Sequence, residues 1–275
     1  MIFEPKRSPA RIATMRTVYV ALSFLALSSM AQADEWNKKY AVSGSPELRI
    51  HAGEGRVEVR VGAGNEIAAH VTTRGWKISE SEVQIIEHQM GNMVDLEVRI
   101  PHGHFQVWNN REIRVDLTVP VNVTSNIETG DGAVVIHGVH GDTRVRTGDG
   151  SIHAEDMEGR LDLHTGDGSV TMRGRVDGLT IETGDGSVTA ELERGSRVAS
   201  GWKIHTGDGS VTVRVPDDLR AFIDAHTGDG SVSVDLPITI ETAAKDHSNV
   251  RGKLNGGGDT FRIESGDGSI HVGRS

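Results

Sequence analysis

One tripeptide constrains this chain more than any other feature. Gly-Asp-Gly recurs at Asp131, Asp149, Asp167, Asp185, Asp208, Asp229 and Asp267, spaced by 18, 18, 18, 23, 21 and 38 residues. Its context repeats too. Thr-Gly-Asp-Gly-Ser-Val occupies 165–170, 183–188, 206–211 and 227–232, with close variants at Thr129–Val134, Thr147–Ile152 and Ser265–Ile270. A period of this length marks units that cannot bury their own apolar face and must stack.

Columns read against the Asp define the unit. Ile127, Val145, Leu163, Ile181, Ile204, Ala225 and Ile263 stand four residues before it. Val134, Ile152, Val170, Val188, Val211, Val232 and Ile270 stand three after it. Polar residues fill the places between, including Glu128, Arg146, His164, Glu182, His205, His226 and Glu264 at three before. Alternation with β-branched residues predicts two short strands per unit, as in Leu179–Glu182 and Ser187–Ala190. The apolar parity changes across Gly-Asp-Gly, which makes the tripeptide a corner. A second corner falls in segments such as Arg173–Gly178. Stacked in parallel at about 4.8 Å, the columns become continuous ladders.

The expected fold is all-β: a parallel β-solenoid, β-helix-like, of about seven coils of 18–23 residues with an irregular N-terminal β region. A left-handed hexapeptide helix needs apolar residues every six, and a calcium β-roll needs the motif in both halves of each unit. The columns fit neither. A wound antiparallel sheet stays as the alternative.

The corner glycines are Gly130, Gly132, Gly148, Gly150, Gly166, Gly168, Gly184, Gly186, Gly207, Gly209, Gly228, Gly230, Gly266 and Gly268. They are expected to supply positive φ. The Asp is expected to bond its own backbone and to tolerate a left-handed conformation. The Thr before and the Ser after could bond between neighbouring coils. Stacked carboxylates repel by only about 0.8 kcal/mol per neighbouring pair in water, so the corner needs no cation. No metal site and no cofactor is assigned. The seven Asp residues are nonetheless where calcium, which accepts carboxylate and carbonyl oxygens, would be drawn.

The flanks are less regular. Glu47–Ile50, Arg56–Val61, Glu66–Val71, Val94–Ile100 and Arg111–Val119 read as strands, and His51–Val57 as a degenerate first corner. Trp76–Met90 reads as a strand pair or an irregular insertion, and Pro101–Asn110 as a loop holding His102, His104, Phe105 and Trp108. Thr239–Asp259, rich in Gly, Lys, Asn and Asp, reads as a mobile loop, after which Phe261–Ile270 resumes the solenoid as its last coil.

Residues 1–33 carry Lys6, Arg7, Arg11 and Arg16, then the apolar run Val18–Leu27 and Ala31-Gln32-Ala33. This is the pattern of a secretory signal peptide, starting at Met1 or Met15. The run is short for a bilayer span, and no later segment is apolar enough to cross one. The expected organisation is a signal peptide over 1–33, an N-terminal β region or cap over 34–120, and the repeat over 121–275 with an insertion at 239–259. The product is expected in the periplasm or at the cell surface. Zero Cys excludes disulfide frameworks, thiolate metal sites and thiol nucleophiles. A net charge of −10 argues against a phosphate-backbone binder, and so against nucleic acid.

The His residues invite a metal reading. His164, His205 and His226 share one outward column, where His205 and His226 should be neighbours. Zinc, however, wants three or four ligands in a tetrahedron, and a column offers a line. Recognisable catalytic motifs are absent: there is no Gly-x-Ser-x-Gly, His-Glu-x-x-His or phosphate loop. A catalytic pair should break the pattern at one coil, whereas these Asp residues recur at every corner.

The leader, the irregular N-terminal strands, the Val119-Pro120 step and the serial Ser/Thr-Gly-Asp-Gly-Ser-Val/Ile pattern resemble a bacterial family of β-strand-repeat proteins. The family is of unknown function and carries the label "putative adhesin". The resemblance covers roughly residues 45–275 and implies surface attachment. It brings no catalytic residues. The chain departs from an anchored adhesin in showing no anchoring motif at Gly273-Arg274-Ser275. The expectation is an exported, non-catalytic interaction or structural protein whose partner is an envelope protein or glycan. A polysaccharide-active β-helix enzyme and a calcium-dependent scaffold are the alternatives.

Overall fold

A computed structural model describes residues 33–101, 112–243 and 247–275. The leader through residue 32, and the loop residues His102, His104, Phe105 and Trp108, lie outside the described residues. Every regular element described is a strand. No helix among the described residues is long and apolar enough to cross a membrane.

The N-terminal region forms β1 (Ala33–Ala41), β2 (Glu47–Ala52), β3 (Arg56–Val61), β4 (Glu66–Arg74), β5 (Gln84–Met90), β6 (Met93–Arg99) and β7 (Glu112–Val119). The repeats follow as β8 (Thr124–Thr129), β9 (Val134–His137), β10 (Thr143–Thr147), β11 (Ile152–Thr165), β12 (Val170–Thr183), β13 (Val188–Leu192), β14 (Trp202–Thr206) and β15 (Val211–Val215). They continue as β16 (Ala221–Thr227), β17 (Val232–Val234), β18 (Ile238–Ala243), β19 (Asn249–Leu254), β20 (Thr260–Ser265) and β21 (Ile270–Arg274).

Pairing of the repeats is parallel. On the side before the corner, β8, β10, β11, β12 and β14 pair in turn, with Ile127 opposite Val145 and Val145 opposite Leu163. On the side after it, β9, β11, β12, β13 and β15 do the same, with Val134 opposite Ile152. The strands β11 and β12 belong to both ladders because they run unbroken through the second corner. There the register slips between Ala154/Met157 and between Gly159/Arg160, and Asp156 takes φ 54°. Both apolar columns point inward and are buried. Each such Val, Leu or Ile adds on the order of 1.5–3 kcal/mol by leaving water.

The N-terminal strands extend the same ladders: β2 pairs with β8, and β3 with β9. The segment His51–Val57 does form a corner below the first Gly-Asp-Gly. A Cβ on Gly130 or Gly132 would meet the carbonyl oxygens of Gly53 or Gly55. Trp76–Met90 divides into an irregular turn and β5, which pairs antiparallel with β6.

At both ends the spatial order departs from the chain order. β6 and β7 pair with the outer edges of β2 and β3, so the first corner of the chain is second in the stack. At the other end β20 lies between β14 and β16, and β21 between β15 and β17. The seventh Gly-Asp-Gly copy is therefore not the last layer, as its position in the chain suggested, but is inserted between the fifth and the sixth. The insertion Thr239–Asp259, expected as a mobile loop, carries two antiparallel strands instead. β19 covers the outer edge of β16, and β18 covers β19. At the N-terminal end β4 covers β7, and β1 covers β4. Antiparallel strands thus close off edges that parallel repeats would leave open.

Candidate functional site

The first corner brings backbones into contact. A Cβ on Gly150, Gly168, Gly186, Gly209 or Gly268 would lie 2.0–2.1 Å from the carbonyl oxygen of the glycine one layer below. None of the fourteen corner glycines has a positive φ. The expectation that they supply left-handed geometry is thus corrected. Glycine is required because a layer has no room for a side chain above its neighbour's peptide. The Thr before the corner closes it. Thr165 Oγ1 donates to Gly150 O at 2.8 Å and accepts from Gly168 N at 3.2 Å. Thr183 and Thr206 repeat both bonds, and Ser265 replaces Thr with the same pair at 2.9 Å.

Asp131, Asp149, Asp167, Asp185, Asp208, Asp229 and Asp267 all project from this corner and are exposed. Their backbones are not left-handed, and none makes a side-chain hydrogen bond or ion pair, so the expected bond to their own backbone does not form. Among the described residues no group of three or more His, Asp or Glu is arranged to hold a metal ion.

The second corner is different. Gly138, Gly141, Asp156, Gly159, Gly195 and Gly201 lie there, all with positive φ. It also absorbs the spacing changes: residues 175–178 join the two ladders in one layer, and 193–201 in the next. These corners border an open groove of about 750 Å³ that includes His140, Glu158, Arg175 and Arg197. The Arg175 guanidinium pairs with Glu158, and His140 Nδ1 lies 3.8 Å from the same carboxylate.

The outward column three before the Asp forms a stripe of mostly ionisable groups. In spatial order it runs Glu97, His51, Glu128, Arg146, His164, Glu182, His205, Glu264, His226 and Asn249. Acid and base alternate over most of its length. His51 Nδ1 lies 3.3 Å from Glu128, His164 Nδ1 3.2 Å from Glu182, and His205 Nδ1 3.8 Å from Glu264. The neighbouring column adds Arg144–Asp162 at 2.7 Å, Lys203–Glu182 at 2.7 Å and Arg251–Asp224 at 2.8 Å. His205 and His226, expected as neighbours, are separated by Glu264. The seventh copy, inserted out of chain order, places it there.

Two carboxylates, Glu182 in the stripe and Asp162 in the column beside it, are held below their ordinary values. Burial pushes Asp162 up, but hydrogen bonds from Arg144 and His164 outweigh it. At Glu182 the Lys203 ammonium hydrogen bond is the main cause, against a smaller opposing effect of burial.

A family model matches residues 47–273, nearly the whole of both ladders. The chain belongs to the Toastrack DUF4097 family. Among curated proteins no sequence matches it. Solved structures similar to this Toastrack chain include a "putative cell adhesion protein" from Clostridium sporogenes. It is 14% identical with a TM-score of 0.43, over 89% of this chain and 100% of that one. A "putative adhesin" from Parabacteroides merdae is 11% identical with a TM-score of 0.42, over 87% and 96% of the two chains. A "putative lipid binding protein" from Parabacteroides distasonis is 11% identical with a TM-score of 0.39, over 87% and 96%.

Proposed function

We propose that this protein is exported and serves as a non-catalytic interaction or structural module of the cell envelope, with its parallel repeats wound as a β-solenoid of about seven Gly-Asp-Gly coils. The observation that carries this reading is the stripe from Glu97 to His226, which offers one ionisable group per strand along successive layers. Such a surface binds by many weak contacts at a fixed pitch rather than by one deep pocket. The export part rests on the leader pattern at 1–33 and is read out by fractionation.

The test is capture by crosslinking in the native envelope. Wild type is compared with a folded Glu182→Gln/His205→Gln/Glu264→Gln variant. Wild type should retain a partner that the variant loses. Periodate or protease sensitivity of the product then separates glycan from protein. The same products from both chains, or none from either, would overturn the reading.

A further inference from the structure

Each Gly-Asp-Gly corner contains a reactive bond. In Asp-Gly the side-chain carboxyl stands beside a backbone nitrogen that no Cβ shields, and the two can close a five-membered succinimide. All seven corner carboxylates are exposed and unbonded. An eighth Asp-Gly bond, Asp177-Gly178, lies inside β12, where Gly178 stands opposite Arg160 of β11. The corner motif is the same each time, so the sequence does not rank the seven. The layers do.

In six corners the second glycine is buried and locked by the next layer. Its carbonyl oxygen accepts a hydroxyl from there, from Thr147 on Gly132 through to Thr227 on Gly268, at 2.7–3.1 Å. In five of these six the glycine nitrogen, the nucleophile of the closure, is engaged as well. It donates to the Thr or Ser hydroxyl of its own corner at 2.9–3.3 Å. Gly230 makes neither bond among the described residues, and it is exposed. Its layer explains this. Because β20 and β21 insert ahead of it, the sixth copy is the outermost, and β17 pairs with β21 alone. A terminal layer has one neighbour instead of two and opens more readily.

We propose that Asp229-Gly230 is the corner at which this protein forms isoaspartate, and that stacking protects the other six. Gly230 N attacks Asp229 Cγ. The amide proton and the carboxyl hydroxyl leave as water, and the succinimide closes. Water then opens the ring. Attack at the Asp229 backbone carbonyl carbon breaks its bond to Gly230 N, so the chain runs on through Cγ and the α-carboxylate is freed. Attack at Cγ restores Asp229. Water is the only other reactant, and it is returned. The β-linkage adds one carbon to the backbone of the corner. In an inner layer that carbon must fit between two neighbours at a fixed pitch, whereas the outermost corner has a neighbour on one side only. Chain order points elsewhere: Asp267 belongs to the last copy, yet it sits between two layers.

The test needs no variant. The full chain is held in warm, mildly acidic buffer, folded or in urea, and sampled over weeks. Cleavage after Lys and Arg puts each corner Asp in a different peptide. Chromatography separates the isoaspartyl form of each peptide, and electron-transfer fragmentation places the β-linkage. In the folded protein isoaspartate should build up at Asp229 severalfold faster than at Asp267 or any other corner. In urea the seven rates should converge. Equal rates at all corners of the folded protein, a faster rate at Asp267 than at Asp229, or no isoaspartate at Asp229 would overturn the assignment. Rates that keep the same ratios in urea would trace the difference to neighbouring residues in the sequence and overturn protection by stacking.

Discussion

The two corners of each layer solve the same problem in opposite ways. At Gly-Asp-Gly the backbones of successive layers close to within a side chain's width, and the approach recurs in layer after layer. At the opposite corner the chain turns through left-handed residues, strands slip register, and the connection varies in length. The first corner therefore fixes the pitch, and the second absorbs what the first cannot tolerate. Glycine is abundant at both, for different reasons: close approach at one, positive φ at the other.

Length changes should separate the corners most sharply. One residue inserted after Gly168 displaces Ser169 onward by a full side-chain alternation and turns the apolar column outward. Loss of cooperative unfolding is expected, seen as a vanished calorimetric transition. The same insertion after Arg194 lengthens a connection that already varies and should cost under about 1 kcal/mol. An intact transition after the first insertion would break the comparison.

Thr183→Val comes next. It keeps the shape of the side chain but removes the hydroxyl that bonds Gly168 O and Gly186 N. Two buried backbone groups lose a partner, so a loss of about 1–3 kcal/mol in urea unfolding is expected. A loss within a few tenths would show that close approach alone holds the corner.

The outward face of this ladder has a pH signature. Asp162 and Glu182 are both held below their ordinary values. A carboxylate with a depressed folded-state value adds stability that is complete above the unfolded-state value, near pH 4, and is lost as pH falls through the folded-state value. Thermal midpoints should drop on acidification below about pH 4, and Lys203→Met should flatten that drop. An unchanged slope in Lys203→Met would remove the ammonium as the cause at Glu182.

The smallest effect is expected at Asp185→Asn. Its carboxylate is exposed and unbonded among the described residues, with like charges in the layers on either side. The change should fall within about 0.5 kcal/mol, on the stabilising side at low salt. A loss above about 1 kcal/mol would restore a structural role for the Asp.

Sequence columns carried the ladders. Residues four before and three after each Asp are all inward and buried, because a fixed period forces equivalent residues into register. Glu54, flanked by Gly53 and Gly55, was recognisable as a corner for the same reason. What the columns could not carry is the order of the layers. Copies five, six and seven share one motif, so any of them can stack on any other. The choice belongs to the hairpin of β18 and β19 and to the turn at Asn255–Gly257. This is why His205 and His226 looked adjacent when Glu264 stands between them. The alternation in Ile238–Ala243 was the available sign of that hairpin, outweighed by the Gly, Lys and Asn that follow. The corner glycines are legible in the sequence but their reason is not, since close approach and positive φ select the same residue. β1 was missed because its side chains are largely exposed and show little apolar alternation.

The measurement closest to the central claim is the unfolding free energy of Gly168→Ala against Gly195→Ala. At Gly168 the new methyl group would lie 2.1 Å from the Gly150 carbonyl oxygen and 2.5 Å from its carbon, which are backbone and cannot swing aside. At Gly195 it meets only the flexible end of Arg175 at 3.1 Å, with φ +86° as the remaining cost. The Gly195 variant should lose about 1–2 kcal/mol, the ordinary cost of a left-handed Ala. The Gly168 variant should lose at least about 2 kcal/mol more, because layers must separate to admit the methyl. Equal losses, or a larger loss at Gly195, would contradict close backbone approach as the reason for the repeated motif.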